Sequence, residues 1–262
     1  MNPADTILLK RPQARTVKIL NVPIDNVSSL ELLSKLKNGG VVFTPNVDHI
    51  IKLQKDKSFY RVYSQADYRV CDSQILMMAS RFLGSPFKEK ISGSDLFPAF
   101  YNYYSKDRSV KIFLLGGSPG AAETARQKIN SKVGRDIIVG SYCPPFGFEN
   151  DSAECQKIVE KIDDSGASVL AVGVGAPKQE KWIYEHKHRL QNIKTFFAVG
   201  ATIEFEAGYT YRAPKWISEA GLEWFYRLVQ EPKRLWKRYL VDDTVFLFLV
   251  LLQKLNLYPL VK

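Results

Sequence analysis

The chain is organised around the stretch ADYRVCDSQ (residues 66–74). Its first part can form a short buried strand, and Asp72 then lies at the carboxyl end of that strand, directly before an apolar helical run over residues 75–83. In α/β proteins, residues that bind and react with ligands are found at this position. Asp is also a favoured N-cap residue, so a purely structural role is the alternative. The stretch alone leaves both roles open.

Strand-like and helix-like segments alternate on both sides of this stretch. The strands are predicted at residues 17–22, 41–43, 110–115, 136–139, 169–172 and 195–199, with helices between them, among others at 28–36, 49–63 and 121–129. Parallel strands need crossover helices to connect them. The alternation therefore predicts an α/β fold with a Rossmann-like, mostly parallel sheet and helices on both faces.

Residues 209–262 differ in composition from the rest of the chain. They are rich in Arg, Lys and aromatic residues and contain Trp216, Trp224 and Trp236. We therefore predict a Rossmann-like core over residues 1–208 and a C-terminal helical appendage over residues 209–262. The apolar run at residues 244–252 is far shorter than the roughly 20 residues that span a bilayer. The appendage is thus expected to lie on a membrane surface, and the alternative is a helical pair packed on the sheet with its aromatic residues in the core.

Composition limits the classes of function. Lys and Arg number 37 against 27 Asp and Glu, and the net charge of +10 favours nucleic acid, an acidic membrane surface or phosphate-bearing substrates. Three widely separated cysteines without a Cys-x-x-Cys pair indicate neither a disulfide framework nor a zinc site, and they fit a reducing compartment. Residues 1–20 show no export signal, so a cytoplasmic location is expected.

Two glycine-rich turns follow predicted strands, GGSPG (residues 116–120) and GVGAP (residues 173–177). The N–H groups and the dipole of the helix after each turn can bind phosphate. Pro119 and Pro177 are expected at the first helical position. Neither turn matches Gly-x-Gly-x-x-Gly or a Walker loop, so the common dinucleotide and ATP fingerprints are absent. An ordinary structural turn is the alternative at each place.

Metal-binding and hydrolase patterns are absent from the sequence. No two aspartates have the Asp-x-Asp spacing that would hold Mg²⁺ or Mn²⁺ against a diphosphate. His186 and His188 are two residues apart on a predicted helix and therefore point in different directions. No nucleophile elbow is found. The sequence thus predicts no metal site and no resident cofactor.

Further polar residues follow other strands. Thr44 and Asn46 come after the strand at 41–43, and KQEK (residues 178–181) opens a helix after the strand at 169–172. Each could be a turn residue, a cap or a solvated charge. Because each follows a strand, we expect all of them to gather with Asp72 at one edge of the sheet.

A series of motifs runs in order along the chain: TPNVD (44–48), CDS (71–73), LGSP (83–86), SGSDL (92–96), LGG (115–117), PPFG (144–147), GVGAPKQE (173–180), VGAT (199–202), RAP (212–214), GLEWFYR (221–227), EPKR (231–234) and RY (238–239). No single motif is diagnostic. As a set they resemble the WecG/TagA/CpsF glycosyltransferase family over residues 44–239.

The resemblance implies an inverting, metal-independent transferase that moves a sugar from a UDP-sugar to a polyprenyl-diphosphate-linked saccharide at the cytoplasmic face of the membrane. It implies Asp72 as general base, with Thr44, Asn46 and Gln179 in the donor–acceptor pocket. The implied donor-binding residues are Gly116, Gly117, Tyr142, Gly173, Gly175, Lys178 and Glu204. The residues implied at the membrane or the diphosphate are Arg212, Arg227, Arg234 and Arg238.

Chemical reasoning agrees with these roles. An acceptor hydroxyl must lose its proton as it attacks the anomeric carbon, and a positioned carboxylate such as Asp72 can take it. Without a metal, the charge of the departing UDP has to be balanced by helix N-termini and by basic side chains such as Lys178.

Two departures from the family leave the donor sugar open. Ser73 follows Asp72 where the family commonly has Gly, and Glu204 stands where it often has Asp. The expected partners are the UDP-sugar, the lipid-linked acceptor and an anionic membrane surface, with no nucleic acid, and a homo-oligomer is left open. Two other functions also stay open. An oxidoreductase of Rossmann type would bind NAD(H), and a non-catalytic peripheral membrane module would be unaffected by Asp72→Ala.

Overall fold

A six-stranded parallel sheet forms the centre of the molecule. The computed structural model describes residues 16–211, 217, 223–230, 232–237 and 243–258. The strands in spatial order are β4 (Tyr68–Arg69), β3 (Gly40–Phe43), β8 (Thr195–Ala198), β7 (Val169–Gly173), β5 (Ile112–Gly116) and β6 (Ile138–Tyr142). All neighbouring strands pair in parallel. The predicted α/β, Rossmann-like fold is confirmed.

Helices follow the strands along the chain. In the described ranges they are α1 (Ser29–Lys35), α2 (Val47–Lys55), α3 (Lys57–Ser64), α4 (Gln74–Phe82), α5 (Gly93–Tyr103), α6 (Ala121–Val133), α7 (Ser152–Asp164), α8 (Lys178–His186), α9 (Thr202–Ala207), α10 (Glu223–Gln230), α11 (Pro232–Lys237) and α12 (Asp243–Lys254). Polar N-caps fix several of their starts. Ser28 and Glu31 form a capping box at α1, and Asp151 bonds two N–H groups of α7.

The hydrophobic core has two layers, one on each face of the sheet. Phe113 and Leu115 of β5 pack in the layer of α2, α3, α4, α7, α8 and α12. Ile112 and Leu114 pack in the layer of α1, α5, α6 and α9. Successive strand residues thus point to opposite faces, and both faces are apolar. This explains why the central strands read as continuous apolar runs in the sequence.

The predicted strand at residues 17–22 is wrong as a member of the parallel sheet. The segment forms an antiparallel hairpin of β1 (Thr16–Ile19) and β2 (Val22–Asp25), which is a separate two-stranded sheet. Leu20 makes the turn with a φ of 54°, a conformation that a sequence normally signals with Gly. Because Leu20 carries no such signal, the turn was not predicted.

Helix boundaries also differ from the prediction. The helix expected at residues 49–63 is broken at Asp56, which ends α2 and caps α3 by accepting from the Phe59 N–H at 2.9 Å. The strand expected at 136–139 lies at Ile138–Tyr142. The expected first helical position is wrong for both prolines. Gly120 is the N-cap of α6, so Pro119 lies outside that helix, and Pro177 is itself the N-cap of α8.

Helix α12 joins the core although it belongs to the predicted appendage. Phe246 and Val250 are buried in the α2 layer. Gln253 bonds the hairpin twice. Its Oε1 accepts from the Leu20 N–H at 2.7 Å, and its Nε2 donates to the Lys18 carbonyl at 3.0 Å. The division of the chain into core and appendage remains a prediction, whereas the last described helix is part of the packed core.

Candidate active site

The carboxyl ends of the parallel strands form one edge of the sheet, called here the carboxyl edge. The predicted site residues of the described ranges lie on or next to it. From one end to the other, the strand-end residues are Asp72 after β4, Thr44 and Asn46 after β3, Gly175 after β7, Gly117 after β5, and Tyr142 at the end of β6. The expected gathering of these residues at one edge is therefore seen.

Asp72 and the loop at residues 44–46 are joined through their backbones. β3 and β4 are paired neighbours, and the Asp72 N–H donates to the Pro45 carbonyl at 2.9 Å. On the other side, the Ile91 N–H donates to the Cys71 carbonyl at 2.7 Å. Asp72 itself is half-buried. Main-chain bonds thus hold it in place between two loops.

Asp72 is not the N-cap of α4. Ser73 holds that position, and its Oγ accepts from the Leu76 N–H at 3.4 Å. The alternative that Asp72 merely caps the following helix is therefore wrong. Asn46, in contrast, does cap a helix, because its Oδ1 accepts from the His49 N–H at 3.1 Å at the start of α2. Its carbonyl oxygen thus has a structural role.

Thr44 is buried beneath the start of α5. It is 8% exposed, and a Cβ added to Gly93 would come within 3.4 Å of its Oγ1. Ser92 caps α5 by accepting from the Asp95 N–H at 3.2 Å, and its Oγ also donates to Asp95 Oδ2 at 2.6 Å. The SGSDL motif thus packs a helix start against Thr44.

Close contact between neighbouring strand ends explains two of the predicted glycines. A Cβ on Gly116 would lie 2.4 Å from the Gly173 carbonyl oxygen, and one on Gly173 would lie 2.7 Å from the Gly200 carbonyl oxygen. Gly117 donates its N–H to the Gly173 carbonyl at 3.0 Å. Gly175 differs, because nothing lies within 4 Å of its Cβ position. Its backbone borders open space and can approach a ligand.

The turn after β5 already holds a carboxylate. Glu204 of α9 accepts from the Ser118 N–H at 2.5 Å and from the Ser118 Oγ at 3.1 Å. An N–H group that could bind phosphate is thus occupied by an acidic side chain. A negative charge here favours hydroxyl and N–H groups of a ligand over its phosphates.

Gln179 and Glu180 form a buried pair at the start of α8. Gln179 is 3% exposed and Glu180 is 0% exposed. Gln179 Oε1 accepts from the Gly200 N–H at 3.1 Å, and Gln179 Nε2 donates to Glu180 Oε1 at 2.8 Å. Burial raises the pKa of Glu180 to about 7, although the bond from Gln179 opposes the rise. The pair ties α8 to the turn between β8 and α9.

Lys178 and Tyr142 contact acidic side chains of the segment that follows β6. Lys178 Nζ lies 2.5 Å from Glu149 Oε1, and this bond lowers the pKa of Glu149. The Tyr142 hydroxyl donates to Glu154 of α7. The Tyr142 ring thus faces α7, and the charge of Lys178 is balanced by Glu149.

Of the predicted arginines, Arg212 and Arg238 lie outside the described residues. The structure also does not describe the side chains of Arg227 in α10 and Arg234 in α11.

Within the described ranges, every helix is too short or too polar to span a bilayer. In that same part of the chain, no three His, Cys, Asp or Glu side chains come together as a metal site.

Three residues at or near this edge have features that the sequence reasoning did not predict. Ser118 lies within the glycine turn GGSPG, but its bonds to Glu204 were not predicted. Glu180 sits in the charged run KQEK, and such runs are normally solvated, so nothing signalled its burial. Lys90 lies close to the Asp72 loop. Burial raises the pKa of Cys71 to about 12, and the charge of Lys90 opposes that rise.

Known proteins match this chain over most of its length. The sequence model of the Glycosyl transferase WecG/TagA/CpsF family matches residues 17–259. The N-acetylglucosaminyldiphosphoundecaprenol N-acetyl-beta-D-mannosaminyltransferase of Bacillus subtilis (strain 168) is 28% identical over 233 residues, covering 86% of this chain and 88% of that protein. The protein of the same name from Staphylococcus aureus (strain MRSA252) is 26% identical over 234 residues, covering 86% and 89%. The chain therefore belongs to the WecG/TagA/CpsF family and is a glycosyltransferase, not an oxidoreductase or a non-catalytic module.

Proposed function

We propose that the protein transfers a hexose, an N-acetylhexosamine or a corresponding uronic acid from a UDP-sugar to a polyprenyl-diphosphate-linked saccharide, with inversion at the anomeric carbon. The product would serve a cell-surface polysaccharide or a teichoic-acid-type polymer. The two relatives are named for transfer of N-acetyl-beta-D-mannosamine to N-acetylglucosaminyldiphosphoundecaprenol, which is an acceptor of this class.

The position of Asp72 carries the proposal. It is fixed by main-chain bonds at the carboxyl edge, and Ser73 takes the capping role in its place. In the proposed step, the acceptor oxygen forms a bond to the anomeric carbon while the bond from that carbon to UDP breaks. Asp72 takes the hydroxyl proton, and UDP leaves with the bonding electron pair.

The donor is proposed to lie across the ends of β7 and β5. Its diphosphate lies beside Gly175, where the backbone is open and the N-terminal end of α8 favours an anion. Its nucleoside lies beside Glu204, which would repel a phosphate but can accept from ribose hydroxyls or a base N–H. Asp72 then lies on the acceptor side, because β3, β8 and β7 separate β4 from β5 in the sheet.

Asp72→Asn is expected to retain affinity for UDP and to lose turnover by at least about 100-fold, because only proton removal is lost. The measurement is transfer from a panel of UDP-sugars to a lipid-diphosphate acceptor. Asp107→Asn is the matched control, since Asp107 lies in the turn before β5, at the opposite edge. Turnover of Asp72→Asn within a few-fold of wild type would rule out the general base.

The same assay tests the proposed independence from metal ions. The two site carboxylates do not converge, since Asp72 follows β4 while Glu204 is bound to Ser118 at the end of β5. Transfer is therefore expected to continue in EDTA. Loss of activity in EDTA, with recovery on adding Mg²⁺ or Mn²⁺, would contradict this part of the proposal.

The enzyme is proposed to meet its acceptor at the inner face of the cell membrane. α12 buries one side and exposes Leu247, Phe248 and Leu251 on the other. Beside it, α4 exposes Met78 and Phe82, and α4 directly follows the Asp72 loop. We call these five side chains the α4–α12 surface. Exposed apolar residues on the helix that follows Asp72 and on its neighbour α12 suit a substrate anchored in a bilayer, and the net charge of +10 favours anionic lipid.

A further inference from the structure

The turn between β8 and α9 lies in the middle of the site. β8 is the neighbour of β3, which leads to Thr44, and of β7, which leads to Gly173. The Gly200 carbonyl lies against Gly173, and α9 then carries Glu204 to Ser118. A shift of this turn would therefore move the acceptor side and the donor side relative to each other.

Gln179 and Glu180 hold this turn by a chain of two hydrogen bonds. The Gly200 N–H donates to Gln179 Oε1, and Gln179 Nε2 donates to Glu180 Oε1. Glu180 is completely buried, and no residue in the described ranges offers a hydrogen-bond partner to its Oε2. A buried carboxylate with one unpaired oxygen is costly when ionised, whereas its protonated form carries no charge.

We propose that Glu180 is a positioning residue for sugar transfer, which in its protonated form fixes the Gln179 amide and so holds the Gly200 turn between the two halves of the site. The proposal rests on the transfer activity proposed above. Glu180 touches no reacting atom in this scheme. It acts through Gln179, and Gln179 acts through the backbone of Gly200.

The surroundings of Glu180 favour its neutral form. Burial raises its pKa to about 7, and Asp48 of α2 adds to the rise, while the bond from Gln179 and the charge of Lys52 oppose it. From α3, Tyr63 faces the same interior, and its pKa is raised by burial and then by Glu180. β7 and β8, which also pack on α8, contain no ionisable residue.

Ionisation of Glu180 would therefore change the contacts of the pair. A carboxylate attracts Lys52, whose Nζ now lies 2.8 Å from Asp48, and turning toward that charge takes Glu180 Oε1 away from Gln179 Nε2. His49, which is bonded to Tyr63 at 2.7 Å, lies in the same group of side chains. A rearrangement there releases the Gly200 N–H. Transfer should then decrease as the pH rises through about 7.

Glu180→Gln tests this directly, because Gln has the same shape and is always neutral. We expect it to keep transfer near the wild-type rate at about pH 6 and to lose the decrease that the wild type shows between about pH 6 and 8. Glu185→Gln is the matched control, an exposed acid on the same helix, and it should follow the wild type. Glu180→Ala, which leaves Gln179 without its acceptor, should lower turnover at every pH. A wild-type pH profile in Glu180→Gln would overturn the proposal.

A second measurement needs no transfer activity. In NMR spectra of the full chain without substrate, the Gly200 N–H signal should titrate near pH 7 and exchange faster above it. The signal should not titrate in Glu180→Gln and should behave normally in Glu185→Gln. If no donor supports transfer but this titration is seen, the proposed function fails and the link to Gly200 stands. If Glu180→Gln leaves the titration unchanged, the positioning role fails whatever the activity.

Discussion

The glycine at position 173 shows how closely the strand ends pack. Its Cβ position is 2.7 Å from the Gly200 carbonyl oxygen and 2.9 Å from Ile203 Cδ1. Gly173→Ala is expected to destabilise the fold by about 1–3 kcal/mol through overpacking. Because it pushes the Gly200 turn, it should also lower transfer by at least about tenfold. Thermal unfolding and the transfer assay check both effects.

Gly134→Ala is the control for that substitution. Gly134 ends α6 with a φ of 76°, far from the site, and nothing lies within 4 Å of its Cβ position. The replacement should cost about 1 kcal/mol of backbone strain and leave transfer unchanged. Equal transfer by both variants would show that Gly173 has no bearing on the geometry of the site.

Single residues differ in how far the sequence reveals their roles. Asp72 could be found because it follows a strand, and any strand-end carboxylate lies at the edge where α/β proteins bind ligands. Glu180 could not be found, because its burial depends on α8 packing against α3, β7 and β8. The roles of the glycines in the two turns were ambiguous in the sequence for a similar reason. Gly116 and Gly175 look alike in sequence, yet one contacts a neighbouring strand and the other borders open space.

At the scale of the element, α12 has two sides with separate roles. Phe246 is 0% exposed in the core, whereas Phe248 is 59% exposed on the α4–α12 surface. Phe246→Ala should lower stability by about 3–5 kcal/mol through loss of core packing. Phe248→Ala should change it by about 0.5 kcal/mol or less. Chemical denaturation of both variants measures the difference.

The exposed side of α12 is expected to bind membranes. Replacing Leu247, Phe248 and Leu251 together by Ser should abolish sedimentation with anionic vesicles while UDP affinity is retained. Leu30→Ser is the control, since Leu30 is 65% exposed on α1, on the other face of the sheet. Unchanged sedimentation of the triple variant would place the membrane contact elsewhere.

Strands and helices could be predicted where the sequence pattern that marks them is local and periodic. The apolar runs of β5 and β7 and the polar caps identify those strands and most helices. The turn at Leu20 and the break at Asp56 were missed. Leu20 has a positive φ without Gly, and the apolar pattern continues across Asp56 from α2 into α3. The turn at Leu20 is held by a bond from the distant Gln253, whereas the break at Asp56 is a local cap that the continuing apolar pattern concealed.

For the whole molecule, the buried acid gives stability a defined dependence on pH. Glu180 has a pKa of about 7 in the folded protein against an ordinary value of 4.5, so the folded state holds its proton more tightly. This contribution is complete below about pH 4.5 and is lost as the pH rises to about 7. The difference in unfolding free energy between Glu180→Gln and wild type should therefore shift in favour of the variant over this range. A constant difference from about pH 4 to 8 would show that folding does not shift the pKa of Glu180.

The bonds between Gln253 and the hairpin also bear on how the chain folds. Leu20 and Gln253 are 233 residues apart in the sequence. Contacts between residues so far apart form late in folding, because the entropy cost of closing the loop comes before the contact contributes any favourable energy. An isolated two-stranded hairpin is marginal in water, and the positive φ of Leu20 weakens this one further. During synthesis, β1 and β2 are made before the strands of the parallel sheet, whereas α12 is made after them. The bonds from Gln253 to the hairpin therefore form only after the sheet strands have been made, and until then the apolar residues of the hairpin are exposed to aggregation.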